Sequence, residues 1–413
     1  MPAFTEANQN TALRKRIPLR EAFIDAYPEL TPVLTLIPKK SGMKTVSEES
    51  SEVQWNFKTF RAPRNRPVFD GKDVDFSTES ENNEANKTQL KGRIQLIRSA
   101  VKTGRIAQSV ISQHGGVTAD SKPSGGIHKD HVKDALRGMR TDKNFIIMSG
   151  ADSKAQAVVS SVEVPYQTRG FASWCRPAHA HADLPIDSMA RIPAGNVKAV
   201  ASAAAFTEAD LLGMMNSAWK ARRATGNWKM FNCADMQTTL DNFLVFGELT
   251  SSKHPIRQAA MGSKANTIEL HVKFYKGSFG MIESIPVVDM PEIITQSVTT
   301  VNTDATLTVA DSSVLSPGML VAGTGIAAGA RILYIVDATH VELDAVCTAS
   351  ATVTGTFGET VFSELMDMEY IEYDYVDEVG WEELENTGGG PRGYADCLSF
   401  LAVLNPQAHM IVR

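Results

Sequence analysis

The chain has 413 residues, of which 43% are hydrophobic and 21% charged, with four cysteines and a net charge of −6. That length carries two or three domains and a sizeable core, and no apolar run reaches the roughly 20 residues that cross a bilayer. The N-terminus lacks the basic-then-apolar order of a secretory signal, and the scattered Cys175, Cys233, Cys347 and Cys397 form no C-x-x-C pair, so the expectation is reduced thiols in a cytoplasmic product without a membrane partner.

Charge is unevenly distributed. Residues 1–150 hold 24 Lys/Arg against 17 Asp/Glu, whereas residues 281–413 hold 3 against 20. The two ends neutralise each other either within one subunit or between copies, and the second arrangement would steer association.

Residues 1–45 read as an arm with few periodic apolar positions before the run LTPVLTLIP; such a segment is ordered only when something else holds it. In residues 46–90, Val53, Trp55 and Phe57 alternate with polar residues, a strand signal. A basic stretch, RAPRNRPVFDGKD, and an acidic polar one, STESENNEANK, follow. A lone hairpin is marginal in water, and loops this long are usually functional or disordered. The segment is therefore expected to lie on a partner subunit, with Trp55, Phe57, Arg61, Arg64 and Arg66 at the contact. Residues 88–112 read as a strand followed by a short helix or a second strand.

Gly125 to Gly150 reads as one helix over 127–147, roughly 30 Å long at about 1.5 Å per residue. Val132, Ala135, Leu136, Met139, Ile146 and Ile147 share one face. Asp130 and Asp134 in early turns and Lys143 in a late one suit the helix dipole. Gly138 in mid-helix costs about 1 kcal/mol relative to Ala, so a bend or a close backbone contact is expected there.

In the next block, Thr207 and Asp210 have capping-box spacing ahead of a helix carrying Leu211, Leu212, Met215, Ala218 and Trp219. A buried strand starts at Trp228, Asp235 is expected to cap a second helix, and Thr267 to Pro286 reads as a hairpin turning at Lys276–Ser278. Residues 295–358 are rich in Thr, Val, Ala and Gly, with Arg331 the only cation; short strands between turn signals mark a small all-β module, inserted into a sheet whose strands lead in near 281–288 and out near 360–376. The alternation in MDMEYIEYDYV slips by one, the pattern of a β-bulge. A glycine-rich turn, NTGGGPRG, then precedes a last strand, CLSFLAVLN.

No residue is assigned a catalytic, cofactor-binding or metal-binding role, and no cofactor is expected. Cys175, His179, His181 and Asp183 are metal-capable and close in sequence, but their spacing matches no zinc frame. His128 and His131 share a helix face and would need ligands from elsewhere. There is no phosphate loop and no nucleophile elbow. A hydrolase or metal enzyme built on the Cys175–Asp183 cluster is the alternative of another class.

The order of elements, with the local texture of PELTPVLTLIP, SEVQWNF, RIQLIRSAVKTGRIAQSV and KFYKGSFG, resembles the major capsid proteins of tailed double-stranded DNA bacteriophages, which share the Hong Kong phage-type fold. The resemblance implies an α+β fold and a structural, non-enzymatic role in an icosahedral shell. Its parts would be an N-terminal arm (1–45), an extended loop (46–90), a peripheral domain (91–204) and an axial domain (205–294). An inserted, immunoglobulin-like β module (295–358) and returning C-terminal strands (359–413) would complete it. Val132, Leu136, Gly138 and Met139 would belong to the spine helix, 127–147. Implied partners are copies of the chain as pentamers and hexamers, portal, scaffold and decoration proteins, and packaged DNA through weak non-specific contact. The implied location is the virion, after assembly in the host cytoplasm. A tail-tube or baseplate subunit is the structural alternative.

Overall fold

The computed structural model describes residues 31–41, 51–59, 65, 67–74, 87–104, 126–159, 162–177, 184–245, 274–385 and 389–413. They fall into two compact units, and the larger takes in Thr31–Arg98, Arg140–Gly380 and Asp396–Arg413.

In chain order, a short helix α1 (Pro32–Leu36) leads into β1 (Lys39–Ser41). The strand read around Trp55 is β2 (Glu52–Lys58), and residues 88–112 supply two strands, β3 (Lys87–Arg93) and β4 (Gln95–Lys102). β2 and β3 form an antiparallel ladder from Glu52↔Arg93 to Lys58↔Lys87. The arm's end is not bare: Val33, Leu34 and Ile37 are at most 5% exposed in the main core. Leu34 N, one of the amides that a helix N-terminus leaves without an internal partner, donates to the buried Asn144 Oδ1 at 3.2 Å.

Asn144 belongs to α2 (Gly126–Met148), the long helix read from its periodicity. Met139, Ile147 and Met148 are buried, and Val132, Leu136 and Ile146 are half-buried. Two expectations for this helix fail. Neither its first nor its last turn carries a helpful charge, because Asp130 and Asp134 lie past the first turn and Lys143 is itself buried before the last. A Cβ built on Gly138 meets nothing within 4 Å; the position is on the exposed side of the helix, so of the expected bend or close contact, the contact is not made by any described residue.

A small hairpin, β5 (Ala157–Val159) and β6 (Val162–Val164), and a buried helical turn, α3 (Phe171–Trp174), lead to β7 (Val197–Lys198). Helix α4 (Glu208–Arg222) begins with the capping box read in sequence: Thr207 Oγ1 accepts from Asp210 N at 3.2 Å, and Thr207 N donates back to Asp210 Oδ2 at 3.1 Å. β8 (Gly226–Asn232) follows, then α5 (Ala234–Val245). Asp235 lies inside the first turn of α5. The residue before the helix, Cys233, accepts from Met236 N through its sulfur at 3.4 Å, so a thiol occupies the place expected of Asp235. β9 (Phe274–Gly277) and β10 (Gly280–Pro286) pair as a hairpin whose turn lies at residues 278 and 279, slightly later than expected.

The module runs through β11 (Ile294–Thr300), β12 (Thr306–Val309), β13 (Val321–Ala322), β14 (Ile332–Ile335), β15 (His340–Leu343) and β16 (Ala351–Phe357). Its ends are direct antiparallel partners, Ile294↔Phe357, as an insertion requires. It is not the two-sheet immunoglobulin sandwich. Six strands form one sheet in the order β13-β16-β11-β12-β15-β14. The outer pair is joined by the bridge Leu320↔Arg331, with Val321 N→Ala330 O at 2.8 Å and Ile332 N→Met319 O at 3.0 Å. The sheet thus closes into a small barrel, filled by Val298, Leu307, Val321, Ile332, Val341 and Phe357, and closure removes the edges of a sheet.

The chain returns through β17 (Ser363–Asp367), β18 (Ile371–Leu384), β19 (Arg392–Val403) and β20 (Met410–Val412). The slip in MDMEYIEYDYV marks a turn, not a bulge: Tyr370 N donates to Asp367 O at 3.0 Å, and the flanking strands join different sheets. One sheet has the order β1-β18-β19-β4, and the other β7-β20-β17-β8-β10-β9. β10 and β17 flank the same strand, β8, so the module does interrupt one sheet. This sheet is covered on both faces, which explains why all five residues of β17 are buried. Leu211, Met215 and Ala218 of α4 meet Trp228, Met230 and Leu365 on one side, while Phe231, Met366 and Ile411 face Phe171 and Trp174 on the other.

In the smaller unit, Thr103 Oγ1 lies 2.9 Å from His128 Nδ1 and 3.2 Å from His131 Nδ1, so the two histidines converge on a threonine hydroxyl. His128 also meets the Trp381 ring edge-on at 5.8 Å.

Candidate inter-subunit surface

The β2–β3 ladder anchors the extended loop to the body. Val53 is 1% exposed and Phe57 7%. Trp55 lies 5.8 Å from Trp174 and 6.2 Å from Phe400, and its Nε1 donates to Val403 O at 3.2 Å. Alternation along β2 therefore serves the subunit's own core. Phe57, expected at a contact between copies, is buried in its own chain; Trp55 is half-buried there.

Beyond the ladder the situation reverses. Lys72 N donates to Phe69 O at 3.1 Å, and Gly71, at the third position of this turn, has φ +82°, the conformation for which type II turns select glycine. The turn carries Val68, Phe69 and Val74, which are 56%, 84% and 65% exposed. In the sequence these apolar residues stand without a period among prolines and arginines, so charge is the local signal there and burial pattern gives none. Arg61, Arg64 and Arg66 lie outside the described residues.

Where the module meets the body, polar contacts are buried. Gly318 has φ +81°, and a Cβ there would stand 2.9 Å from Asp152 N, so the turn lies against the body's backbone. Asp152 pairs with Arg169 at 2.8 Å, and the Arg169 guanidinium stacks 4.6 Å from the Trp174 ring. Arg176 reaches Glu359 at 3.1 Å, and Arg413 approaches the same carboxylate at 3.6 Å. Arg331, the module's only cation, donates to Gly318 O at 2.8 Å. Burial, with the nearby Arg176 charge, holds its pKa down at about 10.

The central sheets also bury acids. Glu364 is fully buried and neither carboxyl oxygen has a hydrogen-bond partner among the described residues; burial raises its pKa well above the ordinary carboxylate range. Asp374 is similarly orphaned, and burial, reinforced by Glu372, pushes it up to about 6. Asp367 is raised to about 6 by burial against the opposing pull of Arg222, 3.1 Å away. His409 is held down at about 3 by burial; its Nδ1 accepts from Asp367 N at 3.0 Å.

Among the described residues no group of three His, Cys, Asp or Glu is placed to hold a metal, and no helix is long and apolar enough to cross a membrane. Cys175 is 1% exposed and its thiol is pushed up, first by burial and then by Glu364, the opposite of an activated thiolate. His179, His181 and Asp183 lie outside the described residues.

A layered α/β body thus carries a turn with exposed apolar side chains and an inserted barrel, with no metal cluster among the described residues. The chain belongs to the SU10 major capsid protein family, whose model matches residues 4–330. Among solved structures, the capsid of cyanophage P-SCSP1u is 10% identical with a TM-score of 0.49, over 95% of this chain and 91% of that one. The capsid of a native GTA particle is 8% identical with a TM-score of 0.48, over 99% of both chains. A chain of Mycobacterium phage Ogopogo is 9% identical with a TM-score of 0.46, over 95% and 94%. No curated protein matches. Family membership bears out the resemblance read from the sequence: this is a major capsid subunit of a phage shell, with a structural role and a place in the virion.

Proposed function

We propose that copies of this chain assemble, in the host cytoplasm, into pentamers and hexamers of an icosahedral shell around double-stranded DNA, with residues 46–90 reaching over an adjacent copy. In this reading α2 is the spine of a peripheral domain and the sheet around β8 the core of an axial one. The observation that carries it is the Phe69 turn. An aromatic side chain 84% exposed on a hydrogen-bonded turn is costly in an isolated subunit, since burying it would recover about 1.5–3 kcal/mol. Obligate contacts bury about 2,000–5,000 Å², and extended limbs supply area of that order without a large core. The wall facing the DNA needs no clustered Lys/Arg, because tight phosphate binding would oppose release.

Cryo-electron microscopy of particles from the overexpressed chain tests this. Closed shells in which density for residues 46–90 crosses from one subunit to the next are expected. Tubes, or a monodisperse monomer at high concentration, would overturn the proposal.

A further inference from the structure

The exposed turn has a counterpart on the same chain. Between the C-terminal end of α2 and the barrel lies an open groove of about 280 Å³. Its walls are mainly apolar, with Phe145, Pro291, Ile294, Val314, Leu315 and Met319 among them. Phe145 is 39% and Val314 52% exposed at its margin, so no described part of the same subunit fills it. We propose that this groove receives the turn bearing Val68, Phe69 and Val74 from a second copy of the chain. The inference rests on the loop crossing to a neighbour and specifies where it lands.

Size, chemistry and charge each support the match. An apolar cavity of about 150 Å³ is enough to bind benzene, so the groove has room for the Phe69 ring and part of a flanking valine. Phe69 is the most exposed large hydrophobic residue among those described, and an aromatic anchor in an apolar pocket is the usual centre of an interface's binding energy. Residues 58–72 carry Lys58, Arg61, Arg64, Arg66 and Lys72 against Asp70 alone, while the charged residues lining the groove are Glu292, Glu359 and Arg176, and Arg176 is paired with Glu359 at 3.1 Å, which leaves the carboxylate of Glu292 to face a basic loop. That complementarity would steer the loop toward the groove and penalise other docking. Knob and groove are different patches of one chain, so the contact is heterologous, the kind that closes into rings when the rotation allows.

The test replaces Phe69 with the photocrosslinking analogue p-benzoylphenylalanine, at a site exposed enough to leave folding intact. Shells assembled from isotopically light and heavy subunits are irradiated and digested, and the linked peptides are identified by mass spectrometry. Mixed-isotope links to peptides spanning 145–151, 291–294 or 313–320 are expected. V314R should lower their yield severalfold, while T352R, on an exposed barrel strand, should not. Mixed-isotope links confined to other peptides, or a yield indifferent to V314R, would overturn the groove as the landing site while leaving the crossing loop intact. Links found only within single subunits would overturn both.

Discussion

Replacing Asp374 with Asn removes a carboxyl that is 1% exposed and has no hydrogen-bond partner among the described residues. Burial, with Glu372 beside it, raises its pKa from 3.8 to about 6, against the pull of Lys40, its cross-strand neighbour on β1. Because the folded-state value lies above the unfolded one, the fold favours the protonated form. Stability is complete below the unfolded pKa and is lost as pH climbs from about 4 through about 6. The gap between 3.8 and about 6 corresponds to about 3 kcal/mol, at roughly 1.4 kcal/mol per pH unit. Urea unfolding of unassembled wild-type and D374N subunits at pH values from about 4 to 8 isolates this contribution, since Asp367 and His409 titrate alike in both. The variant should gain on the wild type with rising pH and level off near 3 kcal/mol above pH 6 to 7. K40M, which removes the favourable charge, should widen the window upward in pH. Parallel stability curves for D374N and wild type would show that Asp374 ionises like an exposed aspartate, and the argument from burial would fail.

Three further outcomes are expected. Alanine in place of Arg61, Arg64 and Arg66 should leave the thermal unfolding of the subunit within a degree or two of wild type while sharply lowering shell yield by sedimentation; normal shells would refute a role for the basic tip. Deleting residues 297–357 with a short linker should leave a soluble, folded body by circular dichroism, at a lower Tm because the faces around Asp152 and Arg176 lose their cover; complete loss of soluble subunit would show that the barrel is not an insertion. T207A removes the acceptor for Asp210 N and should cost about 1 kcal/mol in denaturant unfolding; an unchanged midpoint would mean that the capping box contributes nothing.

Elements set by local pattern were legible in the sequence. The length of α2 followed from its apolar period, the start of α4 from the spacing of Thr207 and Asp210, and the inserted module from a change in composition. What failed depends on distant partners. Alternation at Trp55 and Phe57 reveals a strand but not which chain buries it. The slip at residues 368–370 looks alike whether the strand bulges or ends, and only pairing with β8 and β1 decides. Cys233 caps α5 through a weak acceptor that sequence rules rank below Asp235. Barrel closure rests on the Leu320–Arg331 bridge between strands that are sheet edges by local pattern. The exposed valines and Phe69 of the candidate contact sit in a Pro- and charge-rich stretch with no period, so only their exposure in the folded chain distinguishes them from an ordinary loop.

Closure of that barrel bears on life in a crowded lattice. Copies held side by side at a fixed spacing would be an ideal template for strand-to-strand growth if each offered a row of unpaired amides and carbonyls. A module whose ladder wraps around has no such row to offer. Its connecting turns, such as the one through Thr303, are then the natural places for sequence drift or grafted peptides, because changes there leave the hydrogen-bonded ring intact.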